Sequence, residues 1–160
     1  MSMKKLGFGL MRLPLTDPEV ASSIDLPRSA EMVDAFLEKG YTYFDTAYGY
    51  CDGASERAAK EILVKRHPRD SYLLATKLNS CYVKCLEDRD RVFNDQLDKT
   101  GAGYFDYYLL HSIYTANYPD YERFDCFNWL LEKKRQGLVK HIGFSFHDKA
   151  ELLDRILTEH

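Results

Sequence analysis

The chain has 160 residues, 45% of them hydrophobic and 29% charged, which is core material for one domain (residues 1–160) and excludes a disordered chain. Its 22 Lys and Arg against 25 Asp and Glu leave a net charge of −3, so no basic surface is available to neutralise a nucleic-acid backbone. No window approaches the roughly 18 apolar residues of a membrane span, and Met-Ser-Met-Lys-Lys runs into Leu6 without an apolar signal core, so a cytoplasmic protein with neither nucleic-acid nor membrane partners is expected.

In chain order, residues 6–10 read as a short strand. Residues 30–39 carry Met32, Val33, Phe36 and Leu37 at helical spacing, Gly40 is a predicted cap, and residues 41–44 form the next strand. Ala58, Ala59, Ile62 and Leu63 make a second helical stripe that Pro68 stops, followed by a buried strand over residues 72–76. A third helix on Val92, Phe93 and Leu97 ends near Gly101 and leads to a strand over residues 107–110. Phe127, Leu130 and Leu131 mark a fourth helix ending at Gly137. A strand over residues 139–144 follows, and Asp148 is the predicted cap of a last helix bearing Leu152, Leu153, Ile156 and Leu157.

Strands alternating with helices require a parallel sheet with right-handed crossovers. The strand ends carry Gly9, Asp45, Lys77, His111 and Ser145, spaced at roughly 34 residues. Two α/β folds accommodate this. Length favours an open, doubly wound parallel sheet, because an eight-stranded (β/α)8 TIM barrel typically needs about 250 residues. Chemistry favours the barrel, in which successive strand ends open into one pocket, and here three successive ends carry reactive groups.

Singly, each reactive residue has an ordinary explanation. Asp45 could cap a helix, Tyr50 is one of 12 tyrosines, Lys77 could be a solvated charge and His111 a hydrogen-bonded structural histidine. Their order along the chain selects a different reading. The segment Phe44-Asp45-Thr46-Ala47-Tyr48-Gly49-Tyr50, with Gly53, Ser55 and Glu56 after it, resembles the signature of the aldo-keto reductases. Ala75-Thr76-Lys77, Leu109-Leu110-His111, Ile142-Gly143-Phe144-Ser145 and the opening Leu6-Gly7-Phe8-Gly9-Leu10-Met11-Arg12 match the same family, bacterial members above all, so the resemblance covers essentially the whole chain.

The resemblance implies a TIM barrel, present as about five of its eight βα units, and reduction of a small aldehyde or ketone to an alcohol with NADPH or NADH. It implies a catalytic tetrad of Asp45, Tyr50, Lys77 and His111, cofactor contacts at Gly9, Met11, Arg12, Asp45 and Ser145, and pocket walls at Tyr48 and Asn79 and along the loop bearing Tyr114 and Tyr118. Ser145 corresponds to the residue that holds the nicotinamide carboxamide, while Phe146 stands where an asparagine is frequent. The family's ring-stacking residue and its basic loop for the adenosine phosphate belong to units beyond this sequence.

A phenol is a poor proton donor at neutral pH unless its phenolate is stabilised, and an ammonium at Lys77, held by Asp45, would do this. A fragment or binding module that retains the tetrad without activity is the alternative. A metal-dependent hydrolase using Asp45, His111 and His147 would leave Tyr50 and Lys77 without a role. Cys51, Cys81, Cys85 and Cys126 are read as free thiols, with no metal expected, and His67, His141 and His160 as structural or exposed. Five units of a barrel also leave two strand edges open, so a polypeptide of these residues is expected to associate through them, to rearrange into an open sheet or to be a truncated form of a longer reductase, and alone to show negligible turnover.

Overall fold

The computed structural model describes residues 4–160; Met1, Ser2 and Met3 of the amino-terminal run lie outside them. Strands β1 (Gly7–Gly9), β2 (Tyr43–Asp45), β3 (Leu73–Leu78), β4 (Phe105–Ile113) and β5 (Val139–Phe146) form one sheet in the order β1-β2-β3-β4-β5. Every neighbouring pair is parallel. Spatial order therefore equals chain order. With right-handed crossovers, that order puts every connecting helix on the same face, whereas a doubly wound sheet reverses at a switch point and covers both faces. The doubly wound alternative is thereby excluded: this is five-eighths of a barrel wall, with a convex face under helices and a concave face that is the barrel interior.

Side-chain alternation follows from the register, which pairs Gly9 with Asp45, Asp45 with Ala75, Lys77 with Leu109 and Leu109 with Gly143. Phe44, Leu74, Thr76, Leu78, Tyr108 and Leu110 point outward and are buried beneath the helices. Asp45, Lys77, Leu109, His111, Gly143 and Ser145 belong to the concave face. Lower on that face, Tyr107 stacks on His141 at 4.8 Å and meets Tyr43 edge-on at 5.3 Å.

Helix α1 (Leu26–Glu38) starts a turn earlier than the apolar stripe predicts. Asp25 accepts a hydrogen bond from the Arg28 N–H at 3.0 Å and Pro27 pre-sets the first turn, so capping rather than apolar periodicity sets this end. Helix α2 (Ser55–Ala59) runs on into a π-helical turn, Lys60–Val64, that buries Ile62 and Leu63. In α3 (Glu87–Thr100) the acidic Glu87, Asp88 and Asp90 complement the helix dipole. Its end is closed by Gly101 at φ 65°, a left-handed conformation in which glycine avoids the Cβ clash.

The predicted fourth helix is two: α4 (Tyr118–Arg123) and α5 (Cys126–Arg135), broken at Asp125, whose φ is 48°. The last helix, α6 (Ala150–Glu159), has no side-chain cap. Asp148 instead accepts from the Thr115 N–H and, at 2.7 Å, from Thr115 Oγ1, so the residue expected to cap α6 ties the β4 and β5 loops together. At the opposite end of the sheet the buried Asp106 carboxylate accepts from the Leu74 N–H at 2.9 Å, Arg69 at 2.7 Å and Lys140 at 3.0 Å. No helix among the described residues is long and apolar enough to cross a membrane.

Candidate active site

Asp45 ends β2, and the chain leaves it through a loop built to bring Tyr50 back over the sheet. Thr46 Oγ1 lies 2.8 Å from Ser55 Oγ, which donates to the Leu10 carbonyl at 2.9 Å, pinning the base of the loop to the end of β1. Cys51, Asp52 and Gly53 are all left-handed, with φ of 53°, 51° and 81°. This reversal lets the Ser55 N–H reach the Tyr50 carbonyl at 3.2 Å.

Lys77, only 5% exposed, is the centre of the cluster. Its ammonium donates to Asp45 Oδ1 at 2.6 Å and to the Thr46 carbonyl at 2.8 Å, and lies 3.3 Å from the Tyr50 hydroxyl. A buried ammonium needs such partners. The His111 ring stands edge-on to the Tyr50 ring at 5.6 Å, so the four groups share one opening on the concave face. Burial, then the Lys77 ammonium and the nearby His147, pushes the His111 imidazole down to about 4, which leaves it neutral at physiological pH.

The end of β4 is irregular immediately after His111. Its pairing with β5 shifts between Leu110 and Ile113, and Ser112 adopts φ 56°. Ser145 Oγ accepts from the Ser112 N–H at 2.6 Å, Asn117 Nδ2 donates to the Ser112 carbonyl at 2.9 Å, and Tyr121 Oη donates to the His111 carbonyl at 2.7 Å. Asn117 and Tyr121 escape sequence reasoning: they act through backbone groups, which leave no motif.

The remaining candidates are dispersed. Gly9 ends β1 opposite Asp45, and no atom lies within 4 Å of the position a Cβ would take there. Met11 and Arg12 line a recess of about 310 Å³ together with Leu13, Tyr50 and Cys51. Tyr48 turns away from the cluster: its hydroxyl donates to Asp95 at 2.7 Å and the Lys99 ammonium sits 3.9 Å from its ring centre, both on α3. Asn79 Oδ1 accepts from the Cys81 N–H at 3.0 Å and closes the turn after β3. Tyr118 is buried at the start of α4 against Phe127 and His160, while Tyr114 is exposed. Among the described residues, the His, Cys, Asp and Glu side chains close enough to share a metal ion are Glu122, Glu159 and His160, all exposed, and Asp45 is paired with an ammonium instead.

This parallel barrel wall, with an Asp, a Lys, a Tyr and a His gathered at the carboxyl ends of its strands, defines the class. The sequence profile of the aldo/keto reductase family matches residues 5–160, and the chain belongs to that family. It is similar to an aldo-keto reductase of Mycolicibacterium smegmatis, 28% identical over 94% of this chain and 49% of the relative. Among solved structures it resembles the holo form of an aldo-keto reductase from Bacillus halodurans, with 26% identity, a TM-score of 0.73, and coverage of 96% of this chain and 49% of the other. An aldo-keto reductase from Klebsiella pneumoniae in complex with NADPH shares the fold, with a TM-score of 0.69 at 20% identity over 92% and 47% of the two chains. The chain thus spans about half the length of these relatives.

Proposed function

We propose that this chain carries the proton-transfer and carbonyl-orienting groups of an NAD(P)H-dependent reductase that converts a small aldehyde or ketone to an alcohol. The observation that carries this reading is the Lys77 ammonium, bonded to Asp45 at 2.6 Å and 3.3 Å from the Tyr50 hydroxyl. Tyr50 donates its proton to the carbonyl oxygen, and the ammonium stabilises the phenolate left behind. Asp45 and the Thr46 carbonyl hold that ammonium in place. A neutral His111 offers one ring N–H, enough to orient the carbonyl oxygen, and leaves proton donation to Tyr50.

The residues present are compatible with a nicotinamide ring. The concave face beside Asp45 is open above Gly9, and the Ser145 hydroxyl keeps its hydrogen free to donate while its oxygen accepts from Ser112. Bound there, the nicotinamide would supply the hydride, which no side chain can. Met11 and Arg12 line a recess that also touches Tyr50.

The test is single-turnover oxidation of NADPH or NADH by small aldehydes and ketones in the full native protein, followed by nicotinamide absorbance. Tyr50→Phe and Lys77→Met should each slow hydride transfer by about 100-fold or more, while nucleotide binding, followed by fluorescence quenching, persists. Near-normal rates in Tyr50→Phe would rule the reading out. Nucleotide binding without turnover in the unaltered protein would favour the binding module.

A further inference from the structure

The three hydrogen bonds around the β4 bulge do more than satisfy a local irregularity. A bulge breaks the ladder, leaving backbone groups unpaired, and re-aims the side chain beside it. Here that side chain is His111. Its carbonyl and both backbone groups of Ser112 are taken up by side chains from three other places: Tyr121 on α4, Asn117 before α4 and Ser145 on β5. Asn117 also accepts from the Tyr114 N–H at 2.9 Å, so it braces both limbs of the loop.

Tyr121 is fully buried, and its hydroxyl serves two strands at once. It donates to the His111 carbonyl at 2.7 Å, accepts from the Ser80 N–H at 3.1 Å and lies 3.2 Å from the Leu78 carbonyl. Leu78 follows Lys77 directly. One phenol oxygen therefore spans the end of the strand bearing the ammonium and the end of the strand bearing the imidazole. It approaches through backbone atoms and touches no reactive side chain.

We infer that Tyr121 and Asn117 are positioning residues: they hold the β4 bulge and the spacing of the β3 and β4 ends, and so set His111 against Tyr50 and Lys77. Without the clasp, the two strand ends are free to part and the bulge to relax toward a regular ladder. Either movement carries the imidazole away from the place where it orients a carbonyl. The packing of the Tyr121 ring under α4 does not depend on its hydroxyl, so Tyr121→Phe isolates the clasp. The kinetic consequence rests on the reductase reading above. The effect on His111 does not.

The experiment compares Tyr121→Phe and Asn117→Ala with the unaltered full native protein and with Tyr104→Phe, which removes a hydroxyl bonded to Lys140 at the other end of the sheet. Single-turnover carbonyl reduction, KM, nucleotide affinity and the NMR titration of the His111 ring are measured. Misplacing His111 by a fraction of an ångström should lower kcat by about 10- to 100-fold, with nucleotide affinity unchanged. The His111 titration should move from about 4 toward the ordinary histidine range as water reaches the ring. Tyr104→Phe should change neither. Wild-type kcat and an unshifted His111 in folded variants would overturn the inference, as would an equal loss in Tyr104→Phe. If Tyr121→Phe does not fold, Asn117→Ala decides by the same criteria. If the unaltered protein reduces no carbonyl, the functional reading falls, and the His111 titration in the variants alone decides the clasp.

Discussion

Burial and the nearby Lys77 and His147 hold the His111 imidazole neutral down to about pH 4, whereas in an unfolded chain it would protonate near 6.5. The unfolded state therefore binds the proton first as pH falls. The neutral-histidine contribution to stability is complete above about 6.5 and is lost progressively between there and about 4. The urea midpoint should drop across that window, and His111→Gln should flatten this part of the slope. An unchanged slope would show that the ring is solvated. At this scale Asp45, Lys77 and His111 are legible in the sequence as strand ends, because a strand end is a local feature and each follows an apolar run. Tyr48 is not. Whether a loop residue faces the cluster or α3 depends on Asp95 and Lys99, about 50 residues away, and no local pattern encodes that choice.

Between elements, a buried polar network outside the barrel also reaches the strand that carries Lys77. Glu56 on α2 accepts from Thr76 on β3 at 2.7 Å and from Gln96 on α3 at 2.6 Å, and Tyr108 on β4 donates to Gln96. Gln96 also reaches the Lys77 carbonyl at 3.2 Å. Burial pushes the Glu56 carboxyl up, and its Oε2 has no hydrogen-bond partner among the described residues. Removing Gln96 would strand Tyr108 and leave Glu56 with one donor. Gln96→Leu should therefore destabilise the fold by about 2–4 kcal/mol, read from urea unfolding. A change below about 0.5 kcal/mol would show that the network contributes nothing net. Element boundaries show the same division. The Gly101 stop of α3 is readable because a glycine after an apolar stripe has a local meaning. Helix α4 is not, because its six residues are too few for a stripe and it is held by Tyr118 and Tyr121 packing inward.

Among the described residues, β1 and β5 each have a neighbour on one side only, and Tyr43, Tyr107 and His141 line a concave face with no opposing wall. Open strand edges recruit other strands. Each side chain left unburied forfeits roughly 1.5–3 kcal/mol against a domain stability of about 5–15 kcal/mol. A polypeptide of these 160 residues alone is therefore expected to associate through β1 and β5 and to show negligible carbonyl reduction. Light scattering across a concentration series, paired with nicotinamide oxidation, checks both. A compact monomer with ordinary turnover would contradict the expectation. The sequence by itself determined the alternation of strands and helices, their spacing and the Asp, Lys and His at three successive strand ends, because each is set by residues close together in the chain. The tertiary structure alone decided that spatial order equals chain order, which makes the sheet a barrel wall. It also decided that Asp148 reaches Thr115 rather than capping α6, and that Tyr121 joins β3 to β4, because each depends on contacts between residues far apart in sequence.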